Sequence, residues 1–406
     1  MSVSAVVTGI GVTAPNGLGV EDFWAASLRG VSGIGPITRF DPSPYPSRLA
    51  GEVPGFIAED HLPSRLLPQT DHMTRLALVA ADWALVDAGV DPHGDDGFDD
   101  FGAGVVTASS AGGFEFGQNE LRALWSKGSN HVSAYQSFAW FYAVNTGQIS
   151  IRNGLRGASG VVVGDQAGGL DALAQARRNI RKGARIMVSG GVDASICPWG
   201  WVAQLTSGKL STDDDPDTAY RPFDRAAAGH VPGEGGAILV LEEPAAAMAR
   251  GARIYGRIAG YGATFDPKPG SARPPGLRRA IESALADANL TPGDIDVVFA
   301  DAAAVPALDR IEADAITAVF GPRGVPVAAP KTMIGRLNSG AAPLDVVAAL
   351  LSIRDDVVPP AINVSADPDY HLDLVTEQPR RMSARTALVL ARGHGGFNSA
   401  MVVRAP

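Results

Sequence analysis

Residues 160–178 read GVVVGDQAGGLDALAQARR, a short apolar run followed by a turn and an alanine-rich segment. The valines predict a buried strand, and the apolar residues that follow at three- and four-residue spacing predict a helix. Asp165 and Gln166 stand at the turn between the two elements. A strand that passes directly into a helix is typical of an α/β fold, in which helices cover a predominantly parallel sheet.

The same alternation continues along the whole chain. Short runs rich in Val, Ile and Ala predict five strands in the first half, at 5–11, 104–109, 161–165, 186–192 and 237–242. Five more are predicted in the second half, at 253–261, 295–300, 325–329, 386–391 and 400–404. The equal counts suggest two similar units, which we place at residues 1–250 and 251–406.

Apolar stripes mark the helices between the strands. One predicted helix carries its stripe at Leu76, Val79, Ala80, Trp83 and Val86 and ends near Gly89, a common type of C-terminal cap. A second carries a stripe at Leu344, Val347, Ala348 and Leu351. The acidic, turn-rich segments 94–100 and 211–218 are predicted to be solvated loops.

Composition excludes several classes of protein. With 406 residues, 46% of them hydrophobic, the chain can bury a large core. The formal net charge of −9 argues against nucleic acid as the main partner. The single cysteine, Cys197, rules out an intramolecular disulfide, which is typical of a reducing compartment. Because no apolar run reaches membrane-spanning length, we expect a cytoplasmic protein that does not bind a membrane.

The turn at Gln166 would be a good position for a nucleophile. Unpaired backbone N–H groups and the positive end of the helix dipole meet there, and together they lower a thiol pKa or stabilise an oxyanion. An amide cannot form a thiolate or be usefully acylated, so covalent catalysis at this turn is excluded.

Five motifs, in order, carry a resemblance to a known family. Besides 160–178 they are VVTGIGVTAPNG at 6–17, RPFDRAAAGHVPGEGGAILVLE at 221–242, KTMIGRLNSGAAP at 331–343 and ARGHGGFNSAMVV at 391–403. The chain resembles the ketosynthase family from end to end, and segment 160–178 resembles that of chain length factors, the beta subunits of type II polyketide synthases. The resemblance implies a thiolase-like fold of two similar halves in five layers, with a helical layer between two sheets.

The resemblance also implies a disabled active site. Ketosynthases carry a cysteine where Gln166 stands, and two histidines where this chain has Asp301 and Arg336. Lys331 is retained, and Asp309 and Glu312 keep the spacing of acidic residues of the family. Without the nucleophile and the pair that polarises the thioester carbonyl, this chain cannot perform a Claisen condensation alone.

Two roles remain open for Gln166. Its NH2 group could donate to a malonyl thioester carbonyl and stabilise the enolate formed on decarboxylation, which would supply an acetyl primer. Alternatively the side chain fills the vacated acyl site and bonds locally, which is the interpretation we favour. A third hypothesis, a free-standing condensing enzyme or thiolase, conflicts with the missing cysteine and histidines.

Segment 108–125, ASSAGGFEFGQNELRALW, resembles the region where chain length factors line a tunnel shared with the ketosynthase. Spacing places Phe114, Gly117 and Leu121 on one helical face, and the resemblance makes them gate residues; the alternative is an ordinary buried stripe. Glycine in a helix costs about 1 kcal/mol relative to alanine, which suggests that room is needed at residue 117. Because Gly117 and Leu121 stand in place of bulkier groups, we predict a deep tunnel and a long product, closer to a decaketide than to an octaketide.

Partners follow from the same resemblance: a ketosynthase alpha subunit in a heterodimer, an acyl carrier protein and the growing polyketide chain. Segment 137–148, SFAWFYAVNTGQ, is assigned to core and dimer contact together. Its aromatic residues are Phe138, Trp140, Phe141 and Tyr142. A basic cluster at Arg177, Arg178, Arg181 and Lys182 is a candidate for docking the acidic carrier protein.

The remaining signals carry no chemistry. Cys197 precedes a proline away from the turn and is predicted to be a buried thiol. His394 lies in the glycine-rich stretch 393–396, and we assign it a structural role. The chain lacks a phosphate-binding glycine loop and metal-ligand spacing, so we expect no cofactor and no metal.

Overall fold

The computed structural model describes residues 5–94, 99–268 and 270–406. The strands of this part of the chain are β1 (Ala5–Ala14), β2 (Gly17–Leu18), β3 (Ile34–Pro36), β4 (Leu49–Gly51), β5 (Ala103–Ala108), β6 (Ser159–Val162), β7 (Ile186–Asp193), β8 (Gly235–Glu242), β9 (Gly256–Phe265), β10 (Val297–Phe299), β11 (Pro326–Ala328), β12 (Val357–Val358), β13 (Asp373–Leu374), β14 (Arg380–Arg381), β15 (Thr386–Arg392) and β16 (Phe397–Arg404). Its α-helices are α1 (Val20–Leu28), α2 (His72–Asp87), α3 (Phe114–Lys127), α4 (Val144–Asn153), α5 (Gln166–Arg181), α6 (Pro198–Leu205), α7 (Pro244–Ala249), α8 (Leu277–Ala288), α9 (Pro306–Phe320) and α10 (Ala341–Asp355).

The main sheet has the strand order β13-β11-β10-β15-β16-β9-β1-β8-β7-β5-β6, with β2 paired to β1 at its side. Reading outward from the middle, the order β1-β8-β7-β5-β6 in one half matches β9-β16-β15-β10-β11 in the other. The halves join where β1 pairs antiparallel with β9 over three residues. The unit boundary at residue 250 remains a prediction.

The strand directions correct one expectation. The sheet is mixed, because β5 is parallel to both β6 and β7, whereas β8 runs antiparallel to both β7 and β1. The second half repeats this, with β10 parallel to β11 and β15, and β16 antiparallel to β15 and β9. In both halves the parallel pairs lie toward the outer edge of the sheet, and the strands beside the joint between the halves are antiparallel.

All ten predicted strands are present, with shifted ends. The largest shift is at β9, which was expected at 253–261 and spans Gly256–Phe265. Strand β6 was expected at 161–165 and spans Ser159–Val162. The backbone leaves the sheet early because Asp165 adopts a left-handed conformation, with φ 52°, and starts the helix.

Helices α5 and α10 form the central layer, and α2 and α8 cover the outer faces of the two halves. Residues 341–353 of α10 are all buried, as a helix packed between the two halves of the main sheet must be. Helix α5 approaches α10 closely at Gly169, where a Cβ would lie 2.4 Å from Cδ of Pro343. The five-layer thiolase-like arrangement is therefore the one expected.

Helix α2 differs in part from its predicted stripe. Leu76, Val79 and Ala80 are buried, but Val86 is 78% exposed. Its neighbours Ala84 and Leu85 are buried, so Val86 lies on the face of the helix that is turned away from the core. Of the two acidic segments, 211–218 is largely exposed, and residues 95–98 of the other lie outside the described residues. No helix in the described ranges is long and apolar enough to span a membrane.

Candidate functional site

The turn after β6 places Gln166 as the first residue of α5 and buries it. Asp165 precedes it with φ 52° and ψ −138°, a conformation that costs a non-glycine residue about 1–3 kcal/mol. The sequence expectation of a sharp strand-to-helix turn is thus met. Strain of this kind persists only where the surrounding structure holds it.

The Gln166 amide is occupied by backbone groups. In the orientation that satisfies both of its polar atoms, the side-chain nitrogen donates to the carbonyl oxygen of Asn338 at 3.1 Å. The side-chain oxygen accepts from the Asn338 N–H at 2.9 Å. Both ends of the amide are therefore bonded to the backbone of one residue, Asn338, in the segment before α10.

Asp301 and Arg336 form a buried bidentate ion pair. Arg336 Nη1 lies 3.1 Å from Oδ2 of Asp301, and Nη2 lies 3.1 Å from Oδ1. Burial raises the pKa of the Asp301 carboxyl, but the charges of Arg336, Lys331 and Arg392 and the hydrogen bond from Arg336 together outweigh it, so this pKa lies below its ordinary value. Conversely, the negative charge of Asp301 raises the pKa of Arg336 although burial opposes this. Both groups are charged at neutral pH.

Neighbouring groups fix the ion pair in place. The Arg392 N–H donates to Oδ1 of Asp301 at 2.9 Å, and Arg336 Nη1 donates to the Asp301 carbonyl oxygen at 2.9 Å. Glu312 accepts from the backbone N–H groups of Asp301 and Ala302 at 2.6 and 2.8 Å. Glu312, which keeps the spacing of an acidic residue of the family, thus fixes the backbone at Asp301.

Buried acids surround the pair. Burial raises the pKa of Glu312 to about 7 and that of Asp309 to about 6. Lys331 donates to the Ala300 carbonyl oxygen at 2.6 Å and pairs with Asp345, whose pKa burial raises to about 6. Glu312, Lys331 and Asp345 are thus each engaged in bonds within the protein.

A cavity of about 480 Å³ brings Gln166, Asp301, Arg336 and His394 together. The backbone N–H of His394 donates to Oδ2 of Asp165 at 2.9 Å, which ties the glycine-rich stretch to the turn. The sequence analysis did not single out His230, which also lines this cavity. Burial, assisted by the charge of Arg336, lowers the pKa of His230 to about 3, so its imidazole is neutral.

Cys197 lies outside this cavity. It is the N-cap of α6, and its Sγ accepts from the Gly200 N–H at 3.4 Å. Burial raises its pKa to about 11, which keeps it a thiol. The prediction of a buried, unreactive thiol fits this position.

The predicted gate residues lie on α3, whose first residue is Phe114. The Phe114 ring stacks on Trp199 with centroids 4.9 Å apart. Gly117 is buried against the same indole: a Cβ there would lie 3.0 Å from Cζ3 of Trp199 and 3.4 Å from Cβ of Trp140. The room that glycine provides is occupied by Trp199. Leu121, one turn further, is 38% exposed.

Sequence reasoning missed Trp199. It stands in the stretch WGW at 199–201, two residues before the fully buried Trp201, and nothing in that stretch says which ring faces outward. The structure leaves Trp199 39% exposed beside α3. The alternation of buried and exposed rings depends on how α6 packs, so spacing alone could not reveal it.

The aromatic segment after α3 divides between core and surface. Phe138 packs against the core of the first half, whereas Trp140, Phe141 and Tyr142 are exposed. The rings of Phe141 and Tyr142 lie 4.2 Å apart. Exposed aromatic groups in a contiguous patch are typical of protein–protein interfaces.

The candidate basic cluster requires a correction. Arg177 is buried and does not face solvent: it pairs with Asp287 at 2.5 Å and donates to the Ala259 carbonyl oxygen at 2.5 Å. It lies on the face of α5 that contacts the second half, one turn from the end of the helix. Arg178 and Lys182 are exposed.

The comparisons with known proteins agree with this geometry. Residues 4–247 match the family described as beta-ketoacyl synthase, N-terminal domain, and residues 255–365 match beta-ketoacyl synthase, C-terminal domain. Together the two matches cover most of the chain, so the protein belongs to the beta-ketoacyl synthase family.

Within that family the chain is a ketosynthase beta subunit of the chain length factor type. It is 61% identical over 402 residues to the tetracenomycin polyketide synthase ketoacyl synthase beta subunit of Streptomyces glaucescens, covering 98% of each chain. The fold matches the ishigamide ketosynthase/chain length factor with a TM-score of 0.91, 28% identity and complete coverage of both chains. It also matches, with a TM-score of 0.89, 28% identity and complete coverage of both, a structure of a type II polyketide synthase acyl carrier protein in complex with its ketosynthase bound to the hexaketide.

Proposed function

We propose that this chain is the non-condensing partner of an active ketosynthase, and that it shapes a shared tunnel and sets polyketide length. The observation that carries the proposal is the Asp301–Arg336 ion pair beside Gln166. A condensing site needs a thiolate and two neutral donors at these three positions. Here they hold an amide and two opposite charges that neutralise each other.

The partner is an active ketosynthase, which supplies the missing nucleophile. The exposed rings of Trp140, Phe141 and Tyr142 support a large apolar contact, and obligate heterodimers have contacts of this kind. The malonyl units arrive on an acyl carrier protein. This part of the proposal takes support from the solved carrier protein–ketosynthase complex, whose fold this chain shares.

Chain length is set at α3. Leu121 supports this because a side chain that is 38% exposed on the gate face is free to meet a partner or a product. The long product proposed from Gly117 now depends on Trp199, since its indole fills the space beside the glycine. A decaketide-like length requires that this ring flank the tunnel rather than cross it.

The alternative function is malonyl decarboxylation that primes the synthase through Gln166. That role needs a free NH2 group aimed at a thioester carbonyl. The amide bonds to the backbone of Asn338 instead, and this favours the space-filling role. Gln166→Ala should therefore leave acetyl primer formation from malonyl carrier protein unchanged; loss of the primer would support decarboxylation.

The test of the main proposal compares product lengths. The chain is co-expressed with its ketosynthase, carrier protein and malonyl transfer enzyme, and products are sized by mass spectrometry. Leu121→Phe should shorten the polyketide because it adds bulk on the gate face. Met248→Phe, an equally apolar change at an exposed residue of α7, is the matched control and should leave length unchanged. If the wild type, Leu121→Phe and Met248→Phe all gave polyketides of equal length, the ketosynthase and not this chain would set the chain length.

A further inference from the structure

Helix α3 is held by few apolar contacts. Among its described residues only Gly117 is buried, although the helix has 14 residues. It also lacks a side-chain cap of its own, because its N-cap residue is Gly113. A helix with so little burial depends on polar tethers for its position.

One carboxylate supplies the missing cap from another helix. Asp71 is the N-cap of α2, where its Oδ1 accepts from the Met73 N–H at 2.8 Å. Its other oxygen, Oδ2, accepts from the Phe116 N–H at 2.8 Å. Phe116 is the third residue of α3, the usual target of an N-cap side chain. A single side chain therefore caps two helices.

The two helices differ in how firmly they are fixed. Met73 and Leu76 of α2 are fully buried in the core of the first half. Asp71 itself is buried, and a Cβ at Gly113 would lie only 2.9 Å from the Asp71 Cβ, so the start of α3 is in close contact with it. Because α2 is fixed in the core, the Asp71 carboxylate also fixes the first turn of α3 relative to α2.

We propose that Asp71 is a positioning residue for the chain-length gate: by capping α3 in trans it fixes the height and rotation at which Phe114, Gly117 and Leu121 face the tunnel. This inference rests on the proposed function of α3. Two further tethers hold the middle of the helix, since Gln118 accepts from the Trp199 N–H at 2.7 Å and Glu120 from the Ser133 N–H at 2.6 Å. At the first turn, Asp71 acts beside the stacking of Phe114 on Trp199 and the ion pair of Glu115 with Arg39, and it is the group that caps a backbone N–H of the helix from α2.

Asp71→Asn separates the positioning role from a merely structural one. The asparagine carbonyl can still cap α2, because asparagine is a good N-cap residue. Its NH2 group cannot accept from Phe116, so the link to α3 is lost. Asp296→Asn is the matched control, since Asp296 accepts from the backbone N–H groups of Arg385 and Thr386 at 2.7 and 2.9 Å in the second half.

The experiment measures amide hydrogen exchange of α3 and product lengths for the heterodimer. Asp71→Asn should speed exchange at the start of α3 about tenfold or more, the expected loss for a hydrogen bond to a charged group, and should spread the products over several chain lengths. Asp296→Asn should change neither. Unchanged exchange, or faster exchange with a wild-type product distribution, would overturn the positioning role.

Leu121→Phe is run in the same set to separate the two proposals. If it shortens the product while Asp71→Asn has no effect, the positioning role is wrong and the gate stands. If Leu121→Phe has no effect on length, the proposed function fails, and a positioning role for the gate fails with it. Asp71→Ala, which removes both caps, should lower yield as well, because α2 then loses its own cap.

Discussion

Arg336 and Asp301 face each other side-on, with each terminal guanidinium nitrogen 3.1 Å from a different carboxylate oxygen. They occupy the positions at which the resemblance places the two ketosynthase histidines. An ion pair can replace two histidines there only because each charge neutralises the other in a buried site. The substitutions therefore form a matched pair.

Breaking this pair on one side should be costly. Arg336→Met leaves the Asp301 carboxylate buried without its counter-charge, and we expect a loss of about 3–5 kcal/mol in the free energy of unfolding. Asp301→Leu combined with Arg336→Met should recover at least half of that loss, with the unpaired Arg392 N–H accounting for the remainder. Urea denaturation of the heterodimer measures both. A double variant no more stable than the single one would contradict the pairing argument.

Stability should fall as pH rises from about 4.5 to about 7. Burial raises the pKa of Glu312 to about 7 and those of Asp71, Asp309 and Asp345 to about 6. The unfolded chain releases these protons near pH 4, so in this window the folded state binds more protons and deprotonation favours unfolding. Two groups act in the opposite direction and reduce the decline without reversing it. The pKa of His230 is lowered to about 3, so between about pH 3 and 6.5 the unfolded chain binds a proton at this residue that the folded chain does not. Below about pH 4 the lowered pKa of Asp301 matters as well, because protonation removes its ion pair.

Urea midpoints between pH 4.5 and 8 test this dependence. Glu312→Gln removes one titrating group. The free energy of unfolding should then fall less steeply with pH, by up to about 3 kcal/mol over the whole range. The exposed Glu282, which pairs with Arg278 on α8, offers the control Glu282→Gln. That variant should keep the wild-type slope; a flattened slope in the control, or an unchanged one in Glu312→Gln, would refute the assignment.

Restoring the nucleophile should not restore condensation. Gln166→Cys places a thiol at the start of α5, where the helix dipole favours a thiolate, so the variant should react with a thiol-alkylating reagent. No carbonyl-polarising pair is present, because Asp301 and Arg336 are bonded to each other. Paired with a ketosynthase whose own nucleophile has been removed, the variant should form no polyketide. Gln166→Ser serves as the unreactive control, and any product from the cysteine variant would contradict this reading of the site.

Trp199 should affect chain length from outside α3. Trp199→Ala removes the ring that stacks on Phe114 and fills the space beside Gly117, so products should become longer if the ring narrows the tunnel. Trp125→Ala is the control, because that ring lies on the same helix as the gate but is 83% exposed. Mass spectrometry of the polyketides made by the co-expressed proteins measures the chain length. Longer products from the control alone would place the tunnel on the other face of α3.

Much of the architecture followed from the sequence. Buried strands need continuous apolar runs and buried helices need apolar spacing, so ten strands and the central helix α10 could be placed from local pattern. The absence of a nucleophile at Gln166 was equally certain, since no environment turns an amide into a thiolate. The roles of Asp301, Arg336 and the gate residues came instead from the family resemblance.

Tertiary structure decided what local pattern does not encode. The strand directions, the burial of Arg177 and the exposure of Val86 depend on which elements pack against each other. The same holds for Trp199 beside Gly117 and for Asp71 capping α3, because residues 82 and 45 positions apart become neighbours only when the chain folds. Covalent chemistry is a property of single residues, and the sequence determined it. Shape and position arise from contacts between distant segments, and only the folded chain determined those.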